Sequence, residues 1–227
     1  MTAGRSGRGV AGEALGTALL LTAVVGSGIM GERLAAGNAA IALLANAIAT
    51  GGALVALILT FAPISGAHFN PVVTLTLALR RDIGVGAAAA YAAVQTVGAV
   101  AGVWLAHLMF GLPILQVSRH ARGTIGELTG EFVATFGLIG LILSCGRHAP
   151  RQLPYAVAAY ITGAYWFTSS TSFANPAVTL ARALTDTFAG IDAGHVVGFV
   201  IAQIAGGLAA AAVFRWLLDD GASGANV

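Results

Sequence analysis

Residues 70–80 read NPVVTLTLALR, and residues 175–184 read NPAVTLARAL. Both stretches are apolar, about ten residues long, and too short to cross a bilayer. Each opens on Asn-Pro. Asn is a strong helix N-cap, and Pro at the first helical position is pre-set in φ. Each stretch therefore reads as a half-helix that starts at its Asn and stops partway through a membrane. Aligned on Asn70 and Asn175, seven of the first ten positions are identical.

The repeat extends outward from these two points. Upstream, Glu13-x-x-Gly16-Thr17 matches Glu131-x-x-Ala134-Thr135, and downstream Gln95-x-x-Gly98 matches Gln203-x-x-Gly206. Six long apolar segments surround the half-helices, at about 11–30, 38–62, 84–110, 124–144, 152–168 and 191–218. Backbone polar groups in hydrocarbon must be paired internally, so runs of this length read as membrane-spanning helices. Three spans per half is an odd number, so the second half enters from the opposite face. That is an inverted repeat, in which matched broken helices mark the permeation site. The reading is an all-α membrane protein with six transmembrane helices and two re-entrant half-helices. It forms one channel domain over 1–227, with repeats at about 11–110 and 124–218 and short tails at 1–10 and 219–227.

Composition agrees. Of 227 residues, 57% are hydrophobic and 9% charged, where a soluble domain carries about 25% charged residues. Mean hydropathy is +0.86. A soluble enzyme, a disordered acidic chain and a disulfide scaffold are excluded, the last because Cys145 is the sole cysteine. Glycine at 31 residues suits helices packed closely in lipid. All 11 basic residues are arginines, and their scatter offers no nucleic-acid patch. Six spans put both termini on one side. With the N-terminus inside, that side holds Arg5, Arg8, Arg80, Arg81, Arg147, Arg151 and Arg215, against Arg33, Arg119, Arg122 and Arg182 outside. Positive charge favours the inside, so both termini are expected to be cytoplasmic, in the inner (plasma) membrane. No histidine pattern has metal-ligand spacing, and no nucleophile, base and orienter fall together. Neither a metal, nor a cofactor, nor catalysis is expected.

The half-helices suggest a mechanism. Their N-termini meet near the midplane, each with unpaired N–H groups and about half a positive charge. Asn70 and Asn175 can cap with the side-chain oxygen and donate into a pore with the NH₂. A passing water must then turn its oxygen to both donors, which breaks a proton wire. The backbone carbonyls of Gly66, Ala67, His68, Ser170 and Thr171 are expected to line the pore as acceptors, because irregular backbone at this depth is tolerated where it lines a cavity. Glu13 and Glu131 read as acceptors for the re-entrant backbone rather than as proton carriers. Gln95 and Gln203 read as interhelical hydrogen-bonding groups beside the half-helices.

Taken together, Ser65-Gly66-Ala67-His68-x-Asn70-Pro71, the second motif Asn175-Pro176-Ala177, the paired Glu motifs and Gln95-x-x-Gly98-Ala99 resemble the aquaporin, or major intrinsic protein, family. The match covers nearly the whole chain. The resemblance implies a homotetramer with one passive pore per protomer. The first motif departs from the pattern, Asn70-Pro71-Val72 in place of Asn-Pro-Ala, and Val72 is expected to shift the constriction slightly where the half-helices pack. The resemblance also implies an outer selectivity filter at Thr50, Gly163, Ser172 and Val178. Water-selective members have an aromatic, a His and an Arg among these four, and glycerol channels keep the Arg. None is present here. The filter is thus expected to be wide and mildly hydroxylated, similar to bacterial members linked to arsenic resistance. The expected solutes are arsenous acid and other metalloid acids or their methylated forms, glycerol, urea and water. The alternatives are a water-selective pore, narrowed by Arg182 or a nearby aromatic such as Trp166, and a proton-coupled transporter. Arg182, one turn beyond Val178, is expected to complement the helix dipole, with a displaced pore charge as the other reading.

Overall fold

The computed structural model describes residues 7–219. Of the tail read at 219–227, residues 220–227 lie outside the described residues, as do positions 1–6. Eight α-helices follow in order: α1 Gly7–Leu34, α2 Ala39–Ser65, α3 Pro71–Leu79, α4 Val85–Phe110, α5 Ile125–His148, α6 Leu153–Phe167, α7 Pro176–Arg182 and α8 Val196–Leu217. No strand occurs among the described residues. The helices α3 and α7 are the half-helices, and the other six are the spans.

The spans run further than hydropathy indicates. Helix α1 begins at Gly7, inside the stretch read as a tail, and α2 continues through Pro63 to Ser65. Five helical segments are long and apolar enough to cross a membrane. The sixth span, α6, has 15 residues, and a 3₁₀ turn at Pro150–Gln152 leads into it. At about 1.5 Å per α-helical residue and 2 Å per 3₁₀ residue the pair reaches about 28 Å, close to the hydrocarbon thickness. A second 3₁₀ turn, Ala193–His195, starts the last span later than residue 191.

Within each half the Glu helix packs on the Gln helix, α1 on α4 and α5 on α8, and α2 meets α6 across the centre. The half-helices reach into the opposite half: α7 packs chiefly on α4, and α3 lies against both α4 and α8. Glycines set the closest approaches. A Cβ on Gly98 would overlap the carbonyl oxygen of Ala14, and one on Gly206 would overlap that of Phe132. These are matched positions, so the Gln-x-x-Gly motif is where each Gln helix touches the backbone of its Glu helix. The Val of the first motif is accommodated in the same manner. Val72 is 1% exposed and packs with Val73, Ile139, Leu143 and Ala210, and its methyl fills the space that a Cβ on Gly207 would need. The expected effect on the constriction is therefore corrected: Val72 points into α8, away from the lumen.

Candidate functional site: a channel lumen between two capped half-helices

Each Asn does two jobs. The side-chain oxygen of Asn70 accepts from Val72 N–H at 2.9 Å, and that of Asn175 accepts from Ala177 and Val178 N–H at 3.0 and 3.3 Å. Each NH₂ then reaches across to the other arm: Asn70 Nδ2 donates to Ala174 O at 2.7 Å, and Asn175 Nδ2 to Phe69 O at 2.8 Å. The half-helices are thus locked tip to tip. An NH₂ has two donors, so one per Asn is left beyond this reciprocal bond.

The acids hold the arms. Glu13 accepts from Ser65 Oγ at 2.6 Å, His68 N–H at 3.0 Å, Phe69 N–H at 2.7 Å and Gln95 Nε2 at 2.8 Å. Glu131 accepts from Phe173 and Ala174 N–H, both at 2.8 Å, and from Gln203 Nε2 at 2.5 Å. Each Gln also donates to a half-helix threonine, Thr74 at 3.0 Å and Thr179 at 2.8 Å. The backbone explains the need. Ala67 and Phe69 have φ of +51° and +48°, and Ser172 and Ala174 have +52° and +49°. Such left-handed conformations cost non-glycine residues about 1–3 kcal/mol each. They turn N–H groups toward the carboxylate. Glu13 and Glu131 are fully buried, and neither lines the cavity.

A cavity of about 630 Å³ runs through the molecule past both Asn residues. One end is lined by Leu77, Arg80, Asp82 and Arg147, and the other by Thr50, Tyr165, Ser172, Val178 and Arg182; they are termed inner and outer after the orientation expected from the arginine distribution. Gly66, Ala67, His68 and Phe69 line it from the first arm, and Ser172, Phe173 and Ala174 from the second. Ser170 and Thr171 do not reach it; the lining is shifted two residues toward Asn175. Instead, Ser170 O and Thr171 Oγ1 accept from the Arg122 guanidinium, both at 3.4 Å. Arg122 also donates to Gly190 O at 2.9 Å, and so pins the second arm to the loop after α7. Burial pushes its guanidinium down from its ordinary value, against the raising influence of Glu127, Glu131 and Tyr165.

Comparison with known proteins agrees with this architecture. The family model described as major intrinsic protein matches residues 2–167. The chain is 53% identical to aquaglyceroporin AqpS of Rhizobium meliloti, over 91% of this chain and 88% of that protein. It belongs to the major intrinsic protein family. It is also 30% identical to a probable aquaporin PIP2-8 of Oryza sativa subsp. japonica, over 90% of this chain and 80% of that protein. The fold is similar to the X-ray structure of the aquaglyceroporin from Plasmodium falciparum, with a TM-score of 0.75, 20% identity, and coverage of 93% of this chain and 96% of that one. As a family member the protein is a multi-pass membrane channel, not an enzyme, and passes water and small neutral solutes such as glycerol.

Of the four carried-over positions, Thr50, Ser172 and Val178 line the lumen, as do Tyr165 and Arg182. Gly163 does not. A Cβ there would meet only the ring of Phe167, at 3.8 Å. Helix α6 presents Val157, Ile161 and Tyr165 to the lumen, at four-residue spacing. Two residues on a helix turn the direction by about 200°, so Gly163 faces away. The aromatic at the outer end is therefore Tyr165, 3% exposed, whose hydroxyl lies 3.3 Å from Thr50 Oγ1. Trp166, the aromatic named from sequence, is 47% exposed on the outside. Arg182 sits in the last turn of α7, as the dipole reading requires, yet it also lines the lumen. Sequence reasoning missed Tyr165. Its signal was the 157/161/165 spacing in α6.

Proposed function

We propose that the channel conducts arsenous acid and related metalloid acids, including methylated forms, together with glycerol and water. The observation that carries this reading is the side chain at position 178. The family's filter Arg is replaced by Val178, beside a Ser172 hydroxyl that is buried and has no hydrogen-bond partner. An apolar wall facing an unpaired hydroxyl suits a solute with several hydroxyls and no charge. Arsenous acid is neutral at pH 7 and has three. The lumen carbonyls of Gly66, Ala67 and His68 extend the row of acceptors inward.

The Asn pair is proposed as a proton barrier at the centre of the lumen. Its two capped helix ends hold like partial charges across the lumen, and its remaining NH₂ donors fix the orientation of passing oxygens. Coupled transport is disfavoured, because both buried carboxylates are spent on backbone and Gln donors and stand outside the lumen. The protein is further proposed to form homotetramers in the inner membrane with both termini cytoplasmic, on family resemblance and the arginine asymmetry between the two sides.

One observation favours a second reading. The 3.3 Å approach of Tyr165 to Thr50 at the outer lumen suits a narrower, water-selective pore. Stopped-flow light scattering on proteoliposomes separates the two. The metalloid reading expects shrinkage in hyperosmotic glycerol or arsenous acid to be followed by rapid re-swelling. Shrinkage without re-swelling supports the water-selective reading. Concentrative uptake in intact vesicles would contradict both.

A further inference from the structure

We propose that Arg182 supplies the cation barrier of the outer constriction from one turn beyond the usual position, and that Phe173 aims it. This rests on the placement of the outer constriction at Thr50, Tyr165, Ser172 and Val178. Arg182 is 2% exposed and shares the lumen with those residues. Its Nε donates to the carbonyl of Ala189, in the loop after α7. Its guanidinium carbon lies 3.4 Å from the centroid of the Phe173 ring. The two terminal nitrogens make no hydrogen bond among the described residues.

Phe173 is a fixed platform. Its N–H is held by Glu131 at 2.8 Å, and its ring meets Phe199 edge-on at 5.2 Å between centroids. Arg122 lies over the same ring at 5.4 Å, but its donors are engaged with the carbonyls of Ser170, Phe188 and Gly190. The two arginines thus divide the work. Arg122 braces the arm, and Arg182 keeps donors free in the lumen that the unpaired Ser172 hydroxyl also lines. A purely structural charge would serve the helix dipole from the surface of α7 and would not need to be buried in the lumen.

The barrier follows from Coulomb's law. Passing cations and hydronium meet a fixed positive charge in a low-dielectric passage, whereas neutral solutes meet only donors. Proton entry into proteoliposomes under an imposed potential, read with an internal pH dye, tests this alongside water flux in the same vesicles. Arg182→Leu is expected to raise proton entry by roughly tenfold, the effect of one unit charge at about 5 Å and an effective dielectric near 40, with water flux retained. Arg182→Lys is expected to stay near wild type. Val178→Arg combined with Arg182→Leu is expected to restore the barrier, since the charge is moved by one turn and not removed. Wild-type proton exclusion by Arg182→Leu that still carries water would overturn the proposal. If Arg182→Leu carries no water, Arg182→Gln, which keeps a donor for Ala189, is judged by the same criterion. Val178→Arg alone reports on the underlying placement. If it leaves glycerol entry unchanged, the constriction is misplaced. If it blocks glycerol while Arg182→Leu excludes protons, only the Arg182 inference fails.

Discussion

Seven residues past Asn70 the lumen meets Leu77; seven past Asn175 it meets Arg182. The two arms otherwise share their parts: an Asn cap, a buried Glu accepting two loop N–H groups, a Gln tied to that Glu and to a half-helix threonine, and three positive-φ residues before the Asn, at 66, 67 and 69 and at 171, 172 and 174. They differ in length as well. Five residues separate α2 from Pro71, with Asn70 last, whereas eight separate α6 from Pro176, with Asn175 last. The longer arm needs an extra brace, which Arg122 provides. The comparison teaches that the frame of the pore is symmetric because the bilayer and the strained backbone demand the same solution twice. On the proposed reading, selectivity is placed on one side only, where the repeat is broken.

The largest expected effect breaks the shared part. Glu13→Gln and Glu131→Gln each put an NH₂ against backbone donors that need an acceptor, at a cost of about 3 kcal/mol. Glu13→Gln is expected to lose more folded protein in detergent melts, because Arg122 still braces the second arm. Equal loss would show that Arg122 contributes nothing there.

Next is the matched close approach. Gly98→Ala and Gly206→Ala each force a methyl onto a backbone carbonyl oxygen and are expected to lower thermal stability by similar amounts, about 1–3 kcal/mol each. A large difference between them would break the symmetry of the frame.

The Val72 difference sharpens the comparison further. Gly207→Ala collides with Val72 and is expected to destabilise by about 1–3 kcal/mol, and adding Val72→Ala is expected to recover most of it. Unchanged glycerol permeability in the double variant would fit a Val72 that stands outside the lumen.

The smallest effect is at the outer mouth. Tyr165→Phe removes the hydroxyl facing Thr50 and is expected to raise glycerol permeability by about twofold, the scale of a weak neutral hydrogen bond. Trp166→Phe, on the outer surface, is expected to leave it unchanged. The reverse ranking would put α6 in the other rotation.

The frame was legible in the sequence because its constraints are local. Asn-Pro marks a capped helix start, apolar length marks a span, and the pairing of Glu13 with Glu131 and of Gln95 with Gln203 follows from the repeat. The lining of the proposed outer filter was legible only in part. Thr50, Ser172 and Val178 could be carried over by counting from the Asn residues, but α6 stops eight residues before Asn175, and the irregular stretch between them does not preserve helical phase. Counting twelve back therefore lands on Gly163, on the wrong face. Val72 could not be resolved either, since its partner Gly207 is 135 residues away in the sequence.

The most direct test of the central claim, that side chain 178 sets what passes the outer constriction, compares wild type with Val178→Arg in one stopped-flow experiment. Water shrinkage, glycerol re-swelling and arsenous acid re-swelling are measured on the same proteoliposomes. The account predicts that Val178→Arg cuts both solute rates by about tenfold or more, the scale on which one pocket group discriminates, while water flux falls far less. Solute rates unchanged by the added arginine, with water flux intact, would contradict it.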